Sequence, residues 1–168
     1  MLIYHPAYDI NHSIYRLLLI LDSTVHESLH WDLLKLIDFY VLFPQVIKDI
    51  KPFPSNLRAY RQLINNIPDA YELMPNKKRI LFELSNIQHT AVQNLIAKDL
   101  ISVTQFKRKI ITRTPTKLPS TLDSIIKDDY RKSEEWFRFV INELPTAIFT
   151  GKDGLKSRSG LMEYRYDV

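Results

Sequence analysis

Residues 26–30, His26-Glu27-Ser28-Leu29-His30, spell H-E-x-x-H. On a helix that spacing sets two imidazoles one turn apart to bind zinc, with a glutamate between them to activate water. A zinc hydrolase also needs a third ligand and strands to hold its substrate, but the 25 residues upstream read as helix and leave no room for a sheet. The same stretch has a second reading. Thr24-Val25-His26-Glu27 has the form of a capping box, with Thr24 as N-cap and Glu27 at N3 reaching back to the backbone. Capping is the reading adopted, so His26 and His30 remain only remote metal ligands and no cofactor is expected. His5, His12 and His89 show no ligand spacing and default to hydrogen-bonded structural roles.

Other catalytic signatures are absent from the sequence. With no cysteine in 168 residues, disulfides, thiol nucleophiles, Fe–S clusters and thiolate zinc sites are excluded together. No serine nucleophile elbow, phosphate loop or partnered carboxylate pair is found. The chain therefore reads as a binder of macromolecules, with no small-molecule substrate and no enzymatic activity expected. A cysteine-free composition fits a reducing cytoplasm, where the protein is expected to reside. Residues 1–21 lack a basic leader and carry His5, Asp9, His12 and Arg16, unlike a secretory signal. The longest aliphatic run, residues 17–21, is far shorter than the roughly 20 residues of a membrane span.

The formal charge is +4 and the sequence pI near 9.2, compatible with a polyanionic partner. The most concentrated basic cluster is Lys107, Arg108, Lys109 and Arg113, with Lys98 upstream. Two readings stand for it: a DNA contact, or a solvated strand edge on which lysine discourages aggregation.

The elements that must carry these residues are helical. All three glycines, Gly151, Gly154 and Gly160, lie in the last 18 residues, and the preceding 150 have none. Tight turns with positive φ usually need glycine, so sandwiches, barrels and Rossmann sheets are disfavoured. Ile10, Ile14, Leu17, Leu18 and Leu21 recur at helical spacing, as do Leu29, Leu33, Leu36, Ile37 and Tyr40, with Asp22, Ser23 and Thr24 between the two helices. A shorter helix spans residues 56–65 and stops before Pro68. Residues 76–87 predict a helix, and a second follows with Ala91, Val92, Leu95 and Ile96 inward. Residues 102–114 favour strand by their Val, Ile, Thr and Phe content.

That order matches a winged helix-turn-helix, with residues 90–98 as recognition helix and Lys107, Arg108 and Lys109 at the wing tip; without glycine, a single extended strand is the alternative. A last long helix is predicted over residues 120–144, with Ser120 as N-cap and Leu122, Ile125, Ile126, Tyr130, Phe137, Val140 and Ile141 inward. Trp136 and Phe139 exceed one apolar stripe, so they belong either to a core aromatic cluster or to a partner-covered face. The tail's Leu161, Met162, Tyr164 and Tyr166 either fold onto the body or hook a partner. The expected fold is mainly α: an N-terminal helical lobe (1–68), a winged-helix-like lobe with one or two short strands (69–118), a long helix (119–149), and a basic, aromatic docking tail (150–168).

Three stretches carry a family resemblance: Tyr4-His5-Pro6-Ala7-Tyr8-Asp9 leading into Ile14-Tyr15-Arg16-Leu17-Leu18; Leu36-Ile37-Asp38-Phe39-Tyr40-Val41-Leu42-Phe43-Pro44; and Leu95-Ile96-Ala97-Lys98-Asp99-Leu100-Ile101 before a strand. Through these the chain resembles the small middle component of bacterial ABC-three-component systems, which overlap with Lamassu-type defence against phages and plasmids. The resemblance implies a non-catalytic accessory subunit beside an SMC-like ATPase and an effector, often a nuclease. The complex would be a hetero-oligomer; by charge and position, and not by the resemblance, Lys98, Lys107, Arg108, Lys109 and Arg113 are the candidates for a non-specific DNA contact. Trp136, Phe139, Leu161, Met162, Tyr164 and Tyr166 are the partner-contact candidates. The competing reading is a stand-alone winged-helix regulator, for which residues 90–98, lacking arginine, are poor guanine readers.

Overall fold

The computed structural model describes residues 5–71 and 73–167. Tyr4, which heads the first resemblance stretch, and the rest of residues 1–4 lie outside them. Asp9 accepts the His12 N–H at 3.0 Å and so caps the first helix, α1 (Ile10–Ser23). Leu17, Leu18, Leu19 and Ile20 on its inner side are fully buried. After a short extended stretch, β1 (Ser28–His30), the chain enters α2 (Trp31–Leu42). Leu34, Leu36, Ile37, Phe39 and Tyr40 are all fully buried, as expected for a helix at the centre of the core. Pro44, after Phe43, stops it and begins the 3₁₀ segment Pro44–Asp49. A 3₁₀ turn, Ser55–Tyr60, and α3 (Arg61–Asn65) make up the predicted short third helix.

The two helices expected between residues 76 and 101 are one. Asn76 caps α4 (Lys77–Ala97), which runs unbroken through the place where a helix-turn-helix would bend. Residues 86–91 contain neither glycine nor proline, and Gln88 points inward to bond the Lys35 carbonyl and Asp38. Nothing there favours a turn. The helix ends in a Schellman motif: Asp99 takes a left-handed φ of +56°, and Leu100 N–H returns to the Leu95 carbonyl at 2.9 Å.

Ser102 then caps a single helical turn, α5 (Val103–Phe106), within the stretch expected to be strand. Only Ile110–Thr112 forms a strand, β2, and it pairs antiparallel with β1, Leu29 opposite Ile111. The pair is thus long-range and not a wing hairpin.

The long C-terminal helix is broken. Ser120 is the first residue of α6 (Ser120–Lys127) and not its cap, a position held by Pro119. Asp129 then accepts the Arg131 N–H at 3.0 Å and starts a 3₁₀ turn, Tyr130–Ser133; this side-chain bond competes with helix continuation. Ile125 and Tyr130, expected inward, are exposed as a result. The chain resumes as α7 (Glu135–Arg138) and widens into a π-turn, Phe139–Glu143, in which Leu144 N–H reaches the Phe139 carbonyl. Pro145 has no N–H for the Ile141 carbonyl. Thr24 Oγ1 donates to that carbonyl instead, at 2.8 Å.

The tail folds back onto the body. Within it, α8 (Leu155–Ser159) is held by Lys51 N–H to the Arg158 carbonyl and by Arg158 Nη1 to the Pro52 carbonyl. Buried apolar residues from Ala7 to Leu161 form one hydrophobic cluster. Mainly α architecture with a two-stranded sheet is therefore what the chain adopts. No helix among the described residues is long and apolar enough to cross a membrane.

Candidate functional site

The H-E-x-x-H residues do not lie on a helix. Thr24 terminates α1, and α2 starts only at Trp31, with His30 as N-cap accepting the Asp32 N–H at 3.2 Å. The capping box is thus corrected along with the helical zinc geometry. Thr24 Oγ1 does accept the His26 N–H at 3.2 Å, but in a turn where no helix begins, and Glu27 is exposed. The reason is competition for backbone partners: β2 pairs with Ser28–His30 and holds the segment extended. Extended backbone rises about 3.3 Å per residue, against about 1.5 Å along a helix, so the one-turn stacking of the two imidazoles is lost. His26 Nε2 sits 2.8 Å from the Asn142 carbonyl, which can only accept, so that nitrogen carries a proton. Burial lowers the His30 pKa, opposed by nearby Asp32. Among the described residues no three His, Asp or Glu side chains are grouped to hold a metal.

The basic candidates occupy one part of the fold. Lys98 is the C-cap of α4, and Lys107, Arg108 and Lys109 form the turn from α5 into β2. Lys109 adopts φ +60° and its carbonyl accepts the Trp31 N–H at 2.8 Å, so the turn expected to need glycine is built on lysine. Those four side chains are exposed. Arg113 is half-buried where it bridges Ile101, and its Nε finds no hydrogen-bond partner.

The aromatic and tail candidates separate. Phe139 is 2% exposed and packs on Tyr60 at 5.1 Å between ring centroids, and Leu161 is 6% exposed. Both are core residues and present nothing to a partner here. Trp136 is half-buried against Phe137, Met162 and Tyr164 are half-buried, and Tyr166 is 87% exposed. Met162 helps line a cavity of about 310 Å³ with Asp32, Lys35, Lys78, Leu81 and Phe82. Of its charged lining, Lys35 pairs with Asp32 at 2.7 Å, and Lys156 pairs with Asp167 at 2.8 Å.

Two polar networks were not anticipated from the sequence. In the core, Arg16 Nε donates to Asp38 Oδ1 at 2.8 Å and Nη2 to Oδ2 at 3.2 Å, while Gln88 Nε2 donates to Oδ2 at 2.8 Å. The signal was available: Arg16 and Asp38 are lone, opposite charges inside two apolar helical runs. Between α1 and the break after α6, Tyr15 Oη donates to Asp129 Oδ2 at 2.7 Å and Arg131 grips both carboxylate oxygens. Arg131 chiefly, then Tyr15, holds the Asp129 carboxyl down at about 2. Burial, then the carboxylate, pushes the Tyr15 phenol up to about 12.

Because the folded-state value of Asp129 lies below the unfolded one, near 3.9, its contribution is complete above about pH 5 and is lost as pH falls through 4 toward 2. Allowing for solvent screening, that contribution is about 1–2 kcal/mol. Urea unfolding of Asp129→Asn and the unaltered protein is expected to show that gap at pH 6 and its shrinkage to about a third at about pH 2.5. A gap independent of pH would remove the carboxylate from the account.

No curated protein and no solved structure matches this chain. A family model described as ABC-three component (ABC-3C) system Middle Component 5 matches residues 2–167, and so spans the basic turn, the buried ion pair and the docked tail alike. The components of such a system work together, and the chain belongs to this family of ABC-three-component middle components.

Proposed function

We propose that this middle component is a non-catalytic accessory subunit of a cytoplasmic, Lamassu-like defence complex, bridging or regulating an SMC-like ATPase and a nuclease-type effector. The observation that carries this reading is the family match across residues 2–167. It agrees with the extended backbone of the H-E-x-x-H segment and with the ion pairs beside the cleft that Met162 lines. ATP hydrolysis and DNA cleavage then belong to the partners. Trp136, Met162, Tyr164 and Tyr166 remain the side chains available to those partners, and Lys98, Lys107, Arg108, Lys109 and Arg113 supply a DNA contact. A stand-alone winged-helix regulator has little support, because α4 has no turn and the strand pair is no wing.

Affinity purification of the tagged chain from its native host at moderate salt tests the reading. A coiled-coil ATPase is expected to co-purify, and Tyr166→Asp is expected to lower its recovery about tenfold. Recovery of the chain alone, as a monomer that shifts one specific duplex, would count against the accessory role.

A further inference from the structure

Six cations fall within residues 98–117: Lys98, Lys107, Arg108, Lys109, Arg113 and Lys117, with Asp99 as the one acid among them. That segment alone carries +5, whereas the whole chain carries +4, so everything else together is slightly acidic at −1. Of the 17 cations elsewhere, ten form ion pairs among the described residues, including Lys48 with Asp69, Lys77 with Asp49, Arg79 with Glu83, Lys127 with Asp123 and Lys132 with Asp22, and the other seven are scattered along the sequence. None of the six forms an ion pair among the described residues. Asp99, which could neutralise Lys98, accepts instead from Thr116 Oγ1 at 2.8 Å.

The frame that carries these charges is rigid. Ser102 N–H meets the Thr112 carbonyl at 3.0 Å, Thr114 N–H meets the Leu100 carbonyl at 3.2 Å, and the Lys109 carbonyl is fixed by Trp31. Lys109 holds a left-handed conformation that costs a non-glycine residue about 1 kcal/mol, and in doing so it turns three consecutive cations into solvent. Like charges placed so close without counter-charge are held apart from their own relief, and a polyanion supplies that relief.

The neighbouring face of α4 is unsuited to reading bases. Thr90 Oγ1 is bonded to the Asn86 carbonyl at 3.0 Å, Asn94 Nδ2 to the Thr90 carbonyl at 2.9 Å, and Gln93 Nε2 lies 3.4 Å from His89 Nε2. The amide donors of Gln93 and Asn94 are engaged within the helix, while the exposed cationic donors beside them belong to lysines and arginines. This is the distribution of a phosphate contact and not of base recognition.

We infer that residues 98–117 form a sequence-independent clamp on the phosphate backbone of duplex DNA, with Lys117 a sixth contact. The inference deepens the DNA contact proposed above and rests on it. The test uses the full chain alone, so it is separate from the co-purification: loss of partners in that experiment leaves the clamp standing, and loss of DNA binding here leaves the accessory role standing.

Fluorescence anisotropy with two labelled duplexes of unrelated sequence, each about 24 base pairs, is the measurement. Binding is expected at micromolar Kd near 50 mM salt, within about twofold for both sequences, with a log–log salt slope of about −3.5 to −5.5 for four to six phosphate contacts. The triple variant K107A/R108A/K109A is expected to weaken binding about 100-fold and reduce the slope by about 2.7, and K98A/K117A about tenfold. K48A/K132A, which removes paired cations, is expected to change it less than about twofold. Each variant is checked for an unchanged melting temperature. No binding below about 100 μM, a tenfold preference for one duplex, an equal loss in K48A/K132A, or equal affinity for polyglutamate would each overturn the clamp. The last result would assign the patch to an acidic protein.

Discussion

Asp38→Ala is expected to remove about 3–5 kcal/mol of folding stability, a large share of the 5–15 kcal/mol that holds a domain of this size. Asp38 is fully buried and Arg16 4% exposed, so deletion of the carboxylate strands a guanidinium away from water with two of its donors unmatched. Gln88 Nε2 loses one acceptor and keeps only the Lys35 carbonyl. Three helices, α1, α2 and α4, meet at this carboxylate, so the loss is felt across the core and not at one contact. Asp38→Asn, which keeps the shape and one acceptor oxygen, is expected to cost about 2 kcal/mol and serves if the alanine variant does not fold. The double replacement R16M/D38L is expected to recover most of the loss, because it removes both desolvated charges together. Urea unfolding midpoints decide the matter: a loss under about 1 kcal/mol for Asp38→Ala would mean that water reaches the guanidinium.

Gly154→Ala is expected to be the most damaging single change in the tail, costing about 2–3 kcal/mol. A Cβ at this position would lie 2.3 Å from the Thr150 carbonyl oxygen and 2.4 Å from that of Phe149. Both obstacles are backbone, and the Phe149 carbonyl is already engaged by the Lys156 N–H at 3.1 Å. The loop must open, and with it go the anchors that follow: buried Leu155, the Lys156 ion pair with Asp167, and the Arg158 bond to the Pro52 carbonyl. Trypsin is expected to cleave after Lys156 or Arg158 many times faster in the variant, at a temperature where the body stays folded. Gly151→Ala is the comparison: it meets no atom within 4 Å, but its φ of +77° makes alanine cost about 1 kcal/mol. Equal proteolysis of Gly154→Ala and the unaltered chain would refute the close packing.

Much of the helical framework was legible in the residue order. Leu17 and Leu18 in α1, Leu33, Leu36, Ile37 and Tyr40 in α2, and Ala91, Val92 and Leu95 in α4 were assigned inward from their spacing and are buried. The lack of glycine before Gly151 pointed to helices joined by polar loops, and the sheet that does form is two strands of three residues. The basic cluster was visible as charge alone. Its freedom from ion pairs was not, because that depends on where every acid in the chain ends up.

What residue order misplaced were outcomes of competition between local signals and distant partners. Thr24-Val25-His26-Glu27 has the letters of a helix start, but β2 claims the following backbone as a strand, and the π-turn's carbonyls claim Thr24 and His26. The turn expected in α4 and the continuity expected through residues 128–129 failed in opposite senses. In the first, Gln88 is drawn inward by Asp38, and in the second Asp129 is drawn out of the helix by Arg131 and Tyr15. Phe139 and Leu161 looked like surplus apolar surface because the groups that cover them lie far off in the chain. Spacing and composition act over one or two helical turns, and they determined class, helix positions and the sign of the charge. Which polar group a buried charge meets, and which cations are left without one, is decided only when segments a hundred residues apart come together, since electrostatic and hydrogen-bond energies depend on distance in space and not on separation along the chain.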